Sequence, residues 1–566
     1  MSRARILIAT LAVLLPLPGS LPAGAQDAGP HGVLPPPEPV RVLEGRFATS
    51  GTCAICHSVG ANATALRDPA GRSVAPFDLW RATMMANSAR DPLWRAQVAA
   101  EVAAVGTAAA HEVVAECLRC HAPMAAHEAR LNGETPVDLA VLEDAGPRGA
   151  LARDGASCTV CHQVEDRDLG QPSTFGGHPP LGDARRIFGP HADPPVGPMR
   201  RFTRYEPTHG PHILRSAVCA TCHTLFTGPD ETVPEQTPYL EWRSSAFQDE
   251  VAPVGSEARS CQSCHLPTDD AQGRPLETRI ARNPGGRDFP FVEPRRPVGR
   301  HLFVGGNVLV PAIFRDHGRE LGVEAPSAAF EEVLRATREQ LETRTARLAI
   351  EEARRAERAV VAAVRLENLA GHKLPTGIPV RRMWLRVRVL DRDGTVRFAA
   401  GEHDGEGRIV GPDGAPLPAE LAGGPTHPHR RAVRAAGEVP VYEAVMADAD
   451  GRPTFRLRLA RGHLKDDRLL PRGWNPAHPD AAAVAPVGVE GDPEFQGGGA
   501  RVALELPVAA EGPLRLEAAL LYQPLSARWA AELFTVDDPA VARFRRYWSS
   551  ADRAPVVLAS ASLELP

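Results

Sequence analysis

Two kinds of apolar patterning divide this chain. Beyond residue 360, apolar positions alternate with polar ones. In Trp384–Leu390, Leu385, Val387 and Val389 share one face while Arg386 and Arg388 share the other, which predicts a half-buried strand. Val360–Glu367, Val441–Met446, Thr454–Leu459, Val502–Leu506 and Leu514–Tyr522 are further strand candidates, and Asp393-Gly394, Asp450-Gly451 and Glu511-Gly512 are turn signals. Short strands with such turns predict a C-terminal antiparallel β-sandwich-like domain over residues 360–566, with Leu525–Phe534 as a closing helix.

Ahead of that region the period changes. Phe330, Leu334, Thr337, Leu341, Thr345 and Leu348 step by three and four, predicting a long linking helix over 327–358 with Ser327 as its N-cap. Phe77–Glu116 also reads as helical. Asp78 can cap its first part, Asp91-Pro92 marks a break, and Gly106 interrupts the Ala-rich run from Leu93 to Cys117. From Thr135 to Arg300 periodicity is weak, and Gly and Pro cluster, as in Gly176-Gly177-His178-Pro179-Pro180. The expected class is α+β: a mostly helical and loop-built domain over 51–320, the linking helix, then the β-rich domain.

The 566 residues allow two to four domains. Aromatics make up only 5 %, against 50 Gly and 55 Pro, so the weakly periodic half needs apolar surface from another source. A net charge of −5 with no basic block argues against nucleic acid as a partner. Arg3 and Arg5, the apolar run Ile6–Leu17 and Ala23-Gly24-Ala25 have the form of a secretory signal. They predict a signal peptide over 1–25, cleaved near Ala25-Gln26, and a periplasmic or otherwise exported protein. Pro35-Pro36-Pro37 and Pro39 predict an extended linker over 26–50. No other stretch reaches about 20 apolar residues, so no transmembrane span is expected in the mature chain.

Five copies of C-x-x-C-H supply the chemistry. They are Cys53, Cys56 and His57; Cys117, Cys120 and His121; Cys158, Cys161 and His162; Cys219, Cys222 and His223; and Cys261, Cys264 and His265. This is the attachment pattern of c-type haem: two thiols form thioethers to one porphyrin, and the adjacent His ligates its iron. The five motifs consume all ten Cys, leaving none over for a disulfide or a thiolate nucleophile. Structural zinc and disulfides are the competing readings. Neither accounts for a His directly after every pair. Five covalent haems would also provide the missing apolar surface, and such attachment takes place outside the cytoplasm in bacteria. The motif starts lie 64, 41, 61 and 42 residues apart, an alternation that hints at a duplicated unit.

Each iron takes a second protein ligand or stays open. His212, seven residues before Cys219, His301 in HLFVGGN and His372 in GHKLPTG are the leading distal candidates. His127, His178, His209 and His111 form a second rank. Met84 and Met85 read first as apolar filler against a porphyrin and second as thioether ligands. The plain alternative for each His is a hydrogen-bonded structural residue. If His372 binds iron, it pins the β-rich domain onto the haem domain. His427, His429, His463 and His478 read as surface residues.

CLRCHAPM, SAVCATCHTL, EWRSSAF followed by CQSCHLP, HLFVGGN, GHKLPTGIP and LKDDRLLPRGW resemble the large bacterial multihaem c-type cytochromes of the cytochrome c-552/c-554-like group. The resemblance covers most of residues 77–550. It implies secretion, haem c and stacked haems that pass electrons, with redox proteins or quinol-linked cytochromes as partners. Relatives include enzymes that reduce nitrite or oxidise hydroxylamine. This chain has no C-x-x-C-K and fewer motifs than the octahaem hydroxylamine enzymes. The expected function is therefore electron transfer. An oxidoreductase with one open haem, acting on nitrite, hydroxylamine or sulfite, is the alternative. A binding module carried by the β-rich domain is a third reading.

Overall fold

The computed structural model describes residues 42, 45–270, 272–509 and 511–566. The expected signal peptide and most of the expected linker lie outside the described residues. The end of that linker is corrected. Residues 45–50 are pinned: Arg46 N donates to Glu128, Ser50 N donates to Asp154 Oδ2 at 2.7 Å, and Phe47 is buried.

The chain is α+β. Its C-terminal part holds two sheets. One has four strands in the order Ala346–Ala356, Ala359–Asn368, Gly499–Pro507, Ala432–Val433. The other is built on Pro453–Thr454, Val441–Ala447, Arg382–Asp391, Leu514–Gln523 and Val556–Leu565, with Val396–Ala400 and Gly462–Asp466 paired alongside. Pairing is antiparallel except where Ala432–Val433 runs parallel to Ala503 and Leu504. The largest apolar cluster lies between the sheets. Val360, Val364 and Leu366 from one meet Leu385, Val387, Val389, Leu516 and Leu520 from the other. The period-two alternation read for Trp384–Leu390 is therefore real: its aliphatic face is buried between sheets.

Three element expectations fail for tertiary reasons. The linking helix stops at Arg344, and Ala346–Ala356 turns back as a strand against Ala359–Asn368. Ser327 is the first helical residue and caps nothing with its side chain. Thr454–Leu459 forms a strand only at Pro453–Thr454 and then a short 3-10 turn, Leu457–Leu459.

The Cys-rich part is made of short helices. Pro92–Val105 begins where Asp91 accepts from Leu93 N and Trp94 N, and ends at Gly106 with φ +77°. Asp78 caps no helix: it accepts from Val59 N and Ser73 Oγ instead. The weakly periodic stretch carries two small sheets. Arg186–Gly189 pairs parallel with Glu206–His209, and Leu225–Thr227 pairs antiparallel with Val233–Gln236. The apolar clusters of the Cys-rich part are separate, the larger two joining twelve and eleven buried residues against thirty-three between the sheets. Among the described residues, no helix is long and apolar enough to cross a membrane.

Candidate haem sites

Each motif occupies about one helical turn. The first ends helix Ser50–His57 and the second ends Ala110–His121. The third is Cys158–Cys161 with His162 as its cap. The fourth begins at Cys219 inside Ser216–Ala220 and runs past its end, and the fifth is Cys261–His265. His162 N donates to Cys158 O at 3.0 Å and His223 N to Cys219 O at 2.9 Å. Residues i, i+3 and i+4 share a helix face, so one turn presents two sulfurs and an imidazole to the same side. All ten thiols are free. Burial pushes the Cys117 and Cys161 thiols up to about 12, so both are protonated at neutral pH.

Four of the five motif imidazoles are oriented from behind. Nδ1 of His57 faces Ile280 O at 2.9 Å, that of His121 faces Ser88 O at 3.1 Å, and that of His162 faces Phe188 O at 2.7 Å; that of His265 faces Val304 O. A carbonyl only accepts, so Nδ1 carries the proton and Nε2 keeps the lone pair a metal needs. Burial lowers the His121 and His223 pKa values to about 4, keeping both rings neutral. Trp94 stacks on the His121 ring at 4.4 Å and 6°, a support with no signal in the motif.

Two of these rings have a partner. His162 and His301 lie with centroids 6.4 Å apart and planes within 20°. His265 and His372 lie 6.2 Å apart and within 17°. Both gaps are too wide for ring contact. Two nitrogen–metal bonds of about 2 Å each, with ~1.1 Å from each nitrogen to its ring centre, place two imidazoles on one metal about 6.2 Å apart. His301 Nδ1 faces Gly299 O at 3.0 Å and His372 Nδ1 faces Lys373 O at 2.8 Å. All four paired rings therefore keep Nε2 free. The donor set and its spacing fit a haem iron held from both sides.

In a comparison with solved structures, a penta-heme cytochrome c552 from Thermochromatium tepidum matches at a TM-score of 0.40 and 16 % identity, over 79 % of this chain and 83 % of that one. No family model matches the chain, and no curated protein matches it. The haem assignment stands on the motifs and ring geometry of this chain.

The other ligand candidates fall elsewhere. His212 is buried, but its Nε2 donates to Val164 O at 2.8 Å and its ring meets Phe188 edge-on. It braces the third motif's loop instead of offering Nε2 to an iron. His178 Nε2 takes a hydrogen bond from Arg119 at 2.7 Å. His111 and His209 are exposed. His127 is buried beside Phe47 with Nε2 unpartnered, which leaves it the second-rank residue best suited to a ligand. Met84 packs against the cluster of Leu79, Ala82 and Leu302 and its Sδ accepts from Asn307 Nδ2 at 3.8 Å, and Met85 lends its backbone carbonyl to Ala156 N. The β-region histidines are less exposed than expected. His427 is buried against Glu420 at 2.7 Å, and His429 sits between Asp467 and Asp492 at 3.0 and 2.9 Å.

The motifs also adjoin one another. The Cys53 thiol neighbours that of Cys158, Cys120 that of Cys222, and Cys219 that of Cys261, and in each pair the neighbouring thiol together with burial pushes the first-named thiol's pKa up. Side chain–backbone hydrogen bonds repeat this order. Thr159 Oγ1 donates to Ala48 O at 3.1 Å, and Cys261 N donates to Ser216 Oγ at 2.9 Å. Gly177, at φ +81°, donates to Thr221 O at 2.7 Å, and a Cβ added there would stand 2.8 Å from Arg119 Cβ and 3.1 Å from Cys120 Sγ. A side chain at this point would force the second and fourth motifs apart.

Proposed function

We propose that this chain is an exported pentahaem c-type cytochrome that transfers electrons through covalently bound haem. The observation that carries this reading is the pair of facing imidazoles, His162 with His301 and His265 with His372, each joining a motif His to a His from a distant segment. When bound, haem supplies a one-electron iron couple whose potential follows ligand type, burial and hydrogen bonding. The protein's own part is to anchor and orient. Ten sulfurs fix the porphyrins, the motif imidazoles ligate, and the carbonyls of Ile280, Ser88, Phe188 and Val304 hold the rings in one tautomer. Motif-to-motif contact brings neighbouring haems close enough for tunnelling. His372 comes from the β-rich part, which makes that part a contributor to the redox unit and disfavours a detached binding module. Redox proteins outside the cytoplasm, or quinol-linked cytochromes, are the partners this reading implies.

The test is direct. The exported protein is purified, stripped of everything not covalently held, and weighed intact, and its pyridine haemochrome is measured. Five haems per chain are expected, with low-spin, six-coordinate iron by electron paramagnetic resonance at the two sites where His301 and His372 face a motif imidazole. A high-spin haem that turns over nitrite, hydroxylamine or sulfite would move the assignment to the oxidoreductase alternative. A colourless chain with Cys53 joined to Cys158 as a disulfide would overturn both.

A further inference from the structure

Four buried charges lie directly behind His372. Glu241 belongs to helix Pro238–Arg243 of the Cys-rich part; Lys373, Asp466 and Arg468 belong to the β-rich part. Glu241 and Lys373 are 0 % exposed. Glu241 Oε1 pairs with Arg468 at 3.1 Å, Arg468 forks onto Asp466 with two contacts of 2.7 Å, and Asp466 takes Lys373 Nζ at 2.6 Å. Two anions and two cations close a neutral set, the condition under which buried charge is tolerated.

The remaining oxygen of Glu241 reaches the ligand loop. Oε2 accepts from Lys373 N at 3.0 Å and from Thr376 Oγ1 at 2.5 Å. The carbonyl of that same Lys373 accepts from His372 Nδ1. Asn368 Nδ2 holds the His372 carbonyl at 2.8 Å. A backbone residue fixed at its N–H by Glu241 thus fixes the imidazole through its C=O. His301, by contrast, is tied to Gly299, two residues away in its own loop. Nothing in the C-x-x-C-H pattern foreshadows this difference.

We infer that Glu241 is a positioning residue for the second iron ligand of the fifth motif, holding His372 across from His265 through the Lys373 peptide. The inference rests on the haem reading above and deepens it. Ligation of this haem and closure of the β-rich part onto helix Pro238–Arg243 are then one event. Residues that never touch the iron decide whether its sixth position is filled.

The experiment uses the full holoprotein, with carbon monoxide binding to the reduced form as the readout, since only an open sixth position takes the gas. His372→Ala calibrates it, with an expected gain of about one CO-reactive haem per chain over the wild-type count. Glu241→Ala should approach the same gain, and Glu241→Gln, which retains one oxygen acceptor, should give a partial gain and a shifted potential for one haem. Lys373→Met removes an equally buried charge but leaves the Glu241 bond to the Lys373 N–H, so it should keep the wild-type count. Wild-type counts in Glu241→Gln and Glu241→Ala beside a gain in His372→Ala would overturn the inference. Equal gains in Lys373→Met and Glu241→Gln would also overturn it, by showing general loosening. No gain in His372→Ala would instead remove His372 as a ligand and with it the reading beneath.

Discussion

In the strand Leu514–Gln523 nearly every residue is buried, and its aliphatic side chains meet a second sheet. Around the third and fourth motifs, by contrast, buried apolar residues form small clusters separated by loops. Both regions are compact, but only the β-rich one carries a continuous side-chain core. In the Cys-rich region the sulfurs and imidazoles of the five motifs sit on short helical turns. On the function proposed above, what differs is the source of the apolar filling: side chains in one region, a covalently attached plate in the other. The lesson is that a low aromatic content and a Gly- and Pro-rich stretch signal disorder only when nothing else can supply buried surface.

The largest expected effect follows from this contrast. When all motif Cys are changed to Ser, or the chain is made without haem attachment, residues 50–265 should lose slow amide exchange while strands Arg382–Asp391 and Leu514–Gln523 keep it. Hydrogen-exchange mass spectrometry resolves the two regions in one experiment. Persistent protection around Cys158–Cys161 in the haem-free chain would break the comparison, since that helix would then be held by side chains alone.

The contrast also explains what could be read beforehand. The motifs were legible because covalent chemistry demands fixed residues at fixed spacing. The strand at Trp384–Leu390 was legible because Leu385, Val387 and Val389 are buried while Arg386 and Arg388 on the opposite face keep partial exposure, even though Trp384 and Leu390 on that face are buried too. Ala346–Ala356 was misread as helix because its Glu, Arg and Ala residues favour helix; pairing with Ala359–Asn368 overrides that preference. His301 and His372 could be nominated as histidines in Gly-bearing turns, but their partners depend on how distant segments meet. His212 stands seven residues before Cys219, yet a single carbonyl, that of Val164, takes its Nε2. Glu241 lay inside a quoted segment, EWRSSAF, with no local sign that its carboxylate would reach the ligand loop.

The next largest effect lies in the β-rich region, where a buried ion pair sits within the core. Arg382 and Glu420 are both fully buried and joined by contacts of 2.6 and 2.7 Å, and His427 adds a third at 2.7 Å. Removing one partner of such a pair costs about 3–5 kcal/mol, so Glu420→Gln should lose that much at neutral pH. Burial alone would raise the Glu420 carboxyl pKa, but Arg382 and His427 outweigh it and hold it down at about 2. The carboxylate contribution is thus fully present above the unfolded value of about 4.3. It fades as pH falls from there through about 2. Denaturant unfolding at pH 7, 4 and 2.5 should show the wild type converging on the variant as pH falls. A constant gap would mean that the pair is not what stabilises this part of the core.

The finest comparison sets one helix cap against another. Asp538 accepts from Ala540 N at 2.7 Å and Asp91 accepts from Leu93 N at 2.8 Å, so both start a helix in the same way. Asp538 is half-buried, whereas Asp91 is 7 % exposed in the Cys-rich region. Burial raises the Asp91 pKa to about 6, and the Trp94 and Leu93 N–H groups only partly offset it. Because the folded value lies above the unfolded one of about 3.9, stability falls as pH rises from about 3.9 through about 6. Asp91→Asn keeps an acceptor oxygen and removes the charge, so it should stabilise the holoprotein by about 1–2 kcal/mol at pH 7 and by nothing at pH 4. Asp538→Asn should shift stability by only a few tenths of a kcal/mol, since Asn and Asp cap about equally well. Thermal midpoints of the two variants at both pH values decide the matter. A matching, pH-independent response at the two caps would show that the Cys-rich region, once its haems are in place, is no drier around Asp91 than the β-rich region is around Asp538.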